Sequence, residues 1–152
     1  MPKLYIMVGV PSSGKTTWIK ENLPEAIRVC HDDLSKMIQS KYNPAIKNIY
    51  HFAEISIAEE ALYQGLDVVI DRTCLDKATR WRFIGLADSI ISVPVEAIAV
   101  VMQTPIEVAK QWNKNPDRLQ SDHYVEDDVY EKLLANAEPV SMNEGFSQVL
   151  YV

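Results

Sequence analysis

The sequence predicts an α/β fold, a three-layer sandwich in which a central, mostly parallel five-stranded sheet lies between helices and carries a helical lid. Three observations lead there. Short apolar, β-branched runs alternate with helix-periodic stretches along all 152 residues, the pattern of a parallel sheet covered on both faces. The first run, residues 4–8, flows into Gly9-Val10-Pro11-Ser12-Ser13-Gly14-Lys15-Thr16, which fits G-x-x-x-x-G-K-[ST] at every fixed position. Polar residues also close the first three runs: this loop, then Asp32 and Asp33, then Asp71. In open parallel sheets ligands sit beyond those carboxyl ends.

The elements follow in order. Leu-Tyr-Ile-Met-Val at 4–8 reads as a buried strand. Gly9 and Gly14 let the loop curl so that successive N–H groups aim at a phosphate chain. Lys15 brings a charge to the β- and γ-phosphates, and the Thr16 hydroxyl suits Mg²⁺. The expected nucleotide-binding set is Gly9, Pro11, Ser12, Ser13, Gly14, Lys15, Thr16 and Thr17. A helix over 17–23 stops at Pro24 and turns the positive end of its dipole to the loop. Together these define a P-loop NTPase-like fold.

Residues 26–30 read as the second strand, and Asp33 as the cap of a helix over 34–39. A longer helix is predicted from Pro44 to Tyr63, its inward stripe Ile46, Ile49, Tyr50, Ala53, Ile57 and Ala61, with Gly65 as its stop. Residues 67–71 form the clearest strand, since Val-Val-Ile is strongly β-branched. Then come a helix from Asp76 carrying Trp81, Phe83 and Ile84, a strand over 95–102, and a helix opened by Thr104-Pro105. A polar segment precedes a helix over 125–136, and a last strand spans 148–152. No repeat or linker interrupts, so one domain over 1–152 is expected, with the lid at about 113–126.

Composition narrows the class. No apolar run nears the length of a membrane span, and the N-terminal one is too short for a secretory signal, so no membrane partner is expected. Cys30 and Cys74 form no disulfide framework, which makes a reducing cytoplasmic setting the expectation. With His31, His51 and His123 they show no metal-ligand spacing and read as packing residues. The three tryptophans, Trp18, Trp81 and Trp112, likewise read as helix-face packing. The net charge is −6, yet residues 34–53 hold Lys36, Lys41 and Lys47 with no acid, while acids gather late at Asp122, Glu126, Asp127, Asp128 and Glu131. Asn113-Lys114-Asn115-Pro116 lacks the aspartate of a guanine-reading motif, which argues against a GTPase.

Phosphoryl transfer needs charge on the γ-phosphoryl group and a base within reach of the acceptor hydroxyl. Asp32 is the candidate base, at a strand end on the acceptor side of the loop. Asp71, after Val68-Val69-Ile70, stands where a Walker-B carboxylate would attend Mg²⁺ with Thr16.

Gly9-x-Pro11-x-Ser13-Gly14-Lys15-Thr16-Thr17-Trp18, the Asp32-Asp33 pair and Asp71-x-Thr73-x-Leu75 together resemble the polynucleotide 5′-kinase family of P-loop phosphotransferases. The ending Glu138-Pro139, then Glu144-Gly145-Phe146 and a strand, is similar to it as well. The resemblance implies that Asp32 takes the proton of a polynucleotide 5′-hydroxyl and that ATP with Mg²⁺ supplies the phosphoryl group. It also implies a lid arginine, here Arg118, closing on the phosphates. Acceptor contacts are expected from Asp33, Ser35, Lys36, Arg72 and Lys77. Two places depart from the family. Ser35 stands where an arginine commonly contacts the acceptor's 3′-phosphate, and Gln111 stands at the first lid arginine. Two alternatives stay open: a kinase of a small alcohol, nucleoside, nucleotide or hydroxymethylated DNA base, and a non-catalytic nucleotide-binding module.

Overall fold

A computed structural model describes residues 1–121 and 123–152. Asp122, one of the clustered late acids and part of the expected lid, lies outside the described residues. Five strands run β1 (Lys3–Val8), β2 (Ile27–Cys30), β3 (Val68–Asp71), β4 (Glu96–Val101) and β5 (Gln148–Tyr151). They form one sheet in the order β2-β3-β1-β4-β5, parallel at every pairing. The order reverses between β3, β1 and β4. The loop after β1 therefore opens into the crevice where such sheets bind ligands.

Strand alternation builds the layers. Leu4, Ile6 and Val8 face one side, packing with Val68 and Ile70 against Ala58 and Leu62 of α3 (Lys47–Tyr63) and Phe83 of α4 (Lys77–Ser89). Met7, Val69 and Val100 face the other side, where Ile19 of α1 (Lys15–Asn22) covers them. A third cluster joins Val10 to Ala109 of α5 (Ile106–Asn113) and Tyr130 of α7 (Asp127–Ala135). Between those helices lies the short α6 (Pro116–Leu119). Among the described residues no helix is long and apolar enough to cross a membrane.

Two local expectations are corrected. The helix after β2, α2 (His31–Ile38), starts three residues before the predicted one, with Cys30 at its N-cap and no side-chain cap bond. Asp33 is thus not a cap. It stands with Asp32 in the first turn, where the helix dipole favours carboxylates. The chain from Pro44 opens as a 3₁₀ turn (Pro44–Ile46) before α3, and α3 is rotated from the predicted stripe. Its buried line is Tyr50, Glu54, Ala58, Ala61 and Leu62, whereas Ile49 is 52% exposed and Phe52 73%. Small Ala58 and Ala61 let the helix approach the sheet, and Glu54 turns inward to meet cations. Periodicity weighed by hydrophobicity could not anticipate a carboxylate on the inner face.

One further buried ion pair closes the back of the fold. Arg80 is fully buried; its Nε donates to Glu144 Oε1 at 2.7 Å, and its other nitrogens donate to the carbonyls of Cys74, Leu75 and Glu138. Glu144 also accepts from the backbone N–H of Ser141. The Glu138-Pro139 and Glu144 stretch thus pins the C-terminal segment to the chain that leaves β3. Phe146 then fills the core beside it.

Candidate active site

The loop between β1 and α1 has the shape its motif requires. A Cβ on Gly9 would lie 2.7 Å from Ser13 Oγ and 2.9 Å from Met102 Cγ, so only glycine fits. Gly14 has φ +91°, a left-handed conformation that glycine adopts without steric cost. Ser12 holds φ +59° as a non-glycine, backbone strain of the kind found at ligand-binding loops. Ser13 is 2% exposed, its hydroxyl without a hydrogen-bond partner among the described residues, and the Ser12 hydroxyl is buried beside Tyr130. These are polar groups disposed for an oxygen-rich ligand. Tyr130 Oη donates to the Pro11 carbonyl at 3.0 Å, fastening α7 to the loop.

Lys15 lies folded back on the loop. Its Nζ donates to the carbonyls of Gly9 at 3.0 Å and Val10 at 2.8 Å. Burial draws its ammonium from the ordinary 10.5 down to about 8, partly offset by the charge of Asp71. Thr16 Oγ1 donates to Asp71 Oδ2 at 2.9 Å. The two residues expected to attend Mg²⁺ are therefore brought together.

Arg28 was not anticipated, and it organises the acid cluster. From β2 its Nε and Nη2 both lie 2.8 Å from Asp71 Oδ2, and its Nη1 lies 2.8 Å from Asp33 Oδ2. Burial would raise the Asp33 carboxyl, but the hydrogen bond and charge of Arg28 more than reverse this and hold it below its usual value. A charged residue inside a four-residue strand was the signal available in the sequence.

Lys15, Thr16, Arg28 and Asp71 open into one cleft of about 1110 Å³. Its floor is the loop, through Pro11, Ser12, Gly14, Lys15, Thr16 and Thr17. Asp32 lines it, and its carboxylate is exposed without a side-chain partner among the described residues. Ser35 and Lys36 line it from α2 and Arg72 from the end of β3. Ser35 is buried, its hydroxyl donating to the Asp32 carbonyl at 2.9 Å. Lys36 Nζ lies 3.2 Å from His123 Nε2. Arg118 lines it from α6, its Nε 3.4 Å from Asn113 Oδ1. Asn113 is itself buried and bonded to both backbone groups of Val125, bracing the α6 stretch at its two ends.

Four expectations change here. Lys77 does not line the cleft; it opens α4, where its N–H donates to Glu138 Oε1. Asp33 does not line the cleft either, being held by Arg28. Arg72 does line it but is committed to Glu54, its Nη1 3.0 Å from Oε2. Glu54 is fully buried and takes a second partner in His31 Nδ1 at 3.3 Å. Trp112 also departs from the packing role expected: it is 51% exposed and lines the cleft beside Gly14.

Lys15, Arg28, Lys36, Lys41, Arg72 and Arg118 give the cleft six basic side chains against the two acids Asp32 and Asp71. A chain of net charge −6 thus keeps a positive cleft, which focuses potential on anionic ligands.

Fold and site together define a P-loop kinase-like α/β protein. The chain belongs to the AAA domain family AAA_33, which it matches over residues 4–140. It is 27% identical over 148 residues to the transcription factor bHLH140 of Arabidopsis thaliana, covering 97% of this chain but only 16% of that protein's length. Among solved structures it is similar to a chain of the Pnkp1/Rnl/Hen1 RNA repair complex, with TM-score 0.75 and 20% identity over 89% of this chain and 43% of that one. A sugar kinase from Janibacter sp. HTCC2649 has TM-score 0.65 and 17% identity, with 99% and 86% covered. APS kinase CysC of Mycobacterium tuberculosis, bound to AMPPNP and APS, has TM-score 0.59 and 14% identity, with 99% and 88% covered. At these identities the likeness establishes the fold. The acceptor has to be argued from the cleft.

Proposed function

We propose that this protein is an ATP- and Mg²⁺-dependent kinase that transfers the γ-phosphoryl group to a polynucleotide 5′-hydroxyl. The observation that carries the reading is the position of Asp32. A carboxylate without a side-chain partner among the described residues shares one basic cleft with the phosphate loop, at the seam between the loop and the α2 wall.

The loop's N–H groups and Lys15 would hold the triphosphate, with Lys15 leaving the Gly9 and Val10 carbonyls for the phosphate oxygens. Thr16 and Asp71 would hold Mg²⁺; the donor set fits, since a hydroxyl and a carboxylate already meet at 2.9 Å. Bound there, the ion neutralises charge on the phosphate oxygens. Asp32 accepts the acceptor's hydroxyl proton as the new O–P bond forms and the bond from the γ-phosphorus to the bridging oxygen breaks, releasing ADP. Arg118 closes over the phosphates from the lid and helps exclude water.

Buried Ser35 supports a second reading, a kinase for a small alcohol, because no arginine at that position reaches an acceptor phosphate. The deciding experiment is transfer of labelled γ-phosphate from ATP to a panel of 5′-hydroxyl DNA and RNA oligonucleotides, nucleosides, nucleotides and sugars. Label on the oligonucleotides supports the first reading. Label confined to a small alcohol overturns it in favour of the second.

A further inference from the structure

The acceptor end of the cleft carries an aromatic platform that the phosphate chemistry does not use. Tyr42 follows α2 in an irregular stretch and lines the cleft with Ser40 and Lys41, yet it is 53% exposed. An exposed ring in a loop is ordinarily free to move. Here it is backed by two others: Tyr50 at 5.4 Å between centroids with planes 31° apart, and His31 at 6.1 Å. Both supports are themselves held. Tyr50 is fully buried and its hydroxyl accepts from the Asn43 N–H at 3.1 Å, while His31 is tied to the buried Glu54. His31 and Tyr50 also pack edge to face at 5.8 Å.

A ring fixed from behind and open in front offers a preorganised π-face to the cleft. His31 immediately precedes Asp32 on the same helix turn, so platform and carboxylate belong to one structural unit. Lys36, Lys41 and Arg72 line the same cleft. An aromatic face among cations beside a proton acceptor matches a ligand with a flat base, a phosphate and a hydroxyl. Trp112, another exposed aromatic of the cleft, lies beside Gly14 of the phosphate loop.

We infer that Tyr42 is the stacking platform for the nucleobase of the acceptor's terminal nucleotide, and so a specificity-determining residue. The inference rests on the nucleic-acid reading of the site given above. It assigns recognition of the acceptor to the face of a base, which every base possesses, and thereby predicts tolerance of base identity but not of base absence.

The test is equilibrium binding, without ATP, of a 5′-hydroxyl dinucleotide and of the same molecule with an abasic first residue. Titration calorimetry would compare wild type, Tyr42→Leu and Tyr42→Phe, with thermal melting to establish that each is folded. Tyr42→Leu is expected to weaken the natural dinucleotide by about 5- to 100-fold. Tyr42→Phe keeps the ring face and should stay within about two-fold of wild type. The abasic molecule should bind weakly and equally to all three. Equal binding of the natural dinucleotide by wild type and a folded Tyr42→Leu overturns the inference, as does an equal loss for natural and abasic acceptors. In both cases transfer to oligonucleotides by wild type would leave the kinase reading standing. If wild type labels only a small alcohol on the panel, the nucleic-acid reading fails and takes the inference with it.

Discussion

The two walls of the cleft are built differently. The loop wall is made of backbone: its shape comes from two glycines, a strained serine and the start of α1, and its contacts are N–H groups and one lysine. The α2 wall is made of side chains held by other side chains: Arg28 by Asp71 and Asp33, Arg72 and His31 by the buried Glu54, and Tyr42 by two rings. A backbone wall suits a ligand whose phosphates are always the same. A side-chain wall can be retuned one residue at a time without disturbing the sheet. The donor half of such a site can therefore stay constant while the acceptor half diverges.

The seam between the walls is probed first. Asp32→Asn should lower transfer by about 10²- to 10⁴-fold while ATP affinity stays near wild type, since the amide cannot take the proton. Turnover and ATP titration on one sample check this, and transfer at the wild-type rate would remove Asp32 from its role.

Next comes the support of the α2 wall. Glu54→Ala strands Arg72 beside a cavity and should destabilise the fold by about 3–5 kcal/mol. Combining Glu54→Leu with Arg72→Met should recover most of that loss, because an apolar pair leaves no unpaired charge. Denaturant unfolding measures both. This coupling also makes Arg72→Ala a poor probe of acceptor contact, because it disturbs a buried carboxylate as well as the cleft.

The loop wall responds in the opposite direction. Lys15 titrates near 8 in the fold against 10.5 when unfolded. Between those values the unfolded chain binds more protons, so stability of the unliganded protein should climb as pH rises from about 8 to 10.5 and be lowest below 8. Lys15→Met should abolish transfer, flatten that climb, and raise stability at pH 7 by about 1–3 kcal/mol. Thermal melting from pH 7 to 10.5 reads it directly. A mutant less stable than wild type at pH 7 would mean that the hydrogen bonds to Gly9 and Val10 outweigh desolvation.

The smallest effect marks the boundary of the site. Lys77→Ala should leave transfer and the acceptor KM unchanged and alter stability by no more than about 0.5 kcal/mol. Its bond to Glu138 comes from the backbone N–H, which alanine keeps. A raised KM for an oligonucleotide would extend the acceptor surface past the cleft toward α4.

The sequence by itself determined the sheet, the loop and the carboxylates at the strand ends. Each of these rests on local chemistry: β-branched runs, glycine positions, and a motif whose residues act through their own backbone. Asp32, Asp71, Thr16 and Lys15 were legible because the fold places the loop and the strand ends at one crevice, while Arg118, which lines the same cleft, was singled out only by the family resemblance. Tertiary structure alone decided the partnerships. Glu54 lies 23 residues from His31 and 18 from Arg72, and Arg28 lies 43 from Asp71. Pairings over such separations leave no local period to read. The rotation of α3, the capture of Asp33, the exclusion of Lys77 from the cleft and the backing of Tyr42 all follow from where buried charges and rings found one another. That choice belongs to the folded chain, because a charge can be buried only where its partner has already arrived.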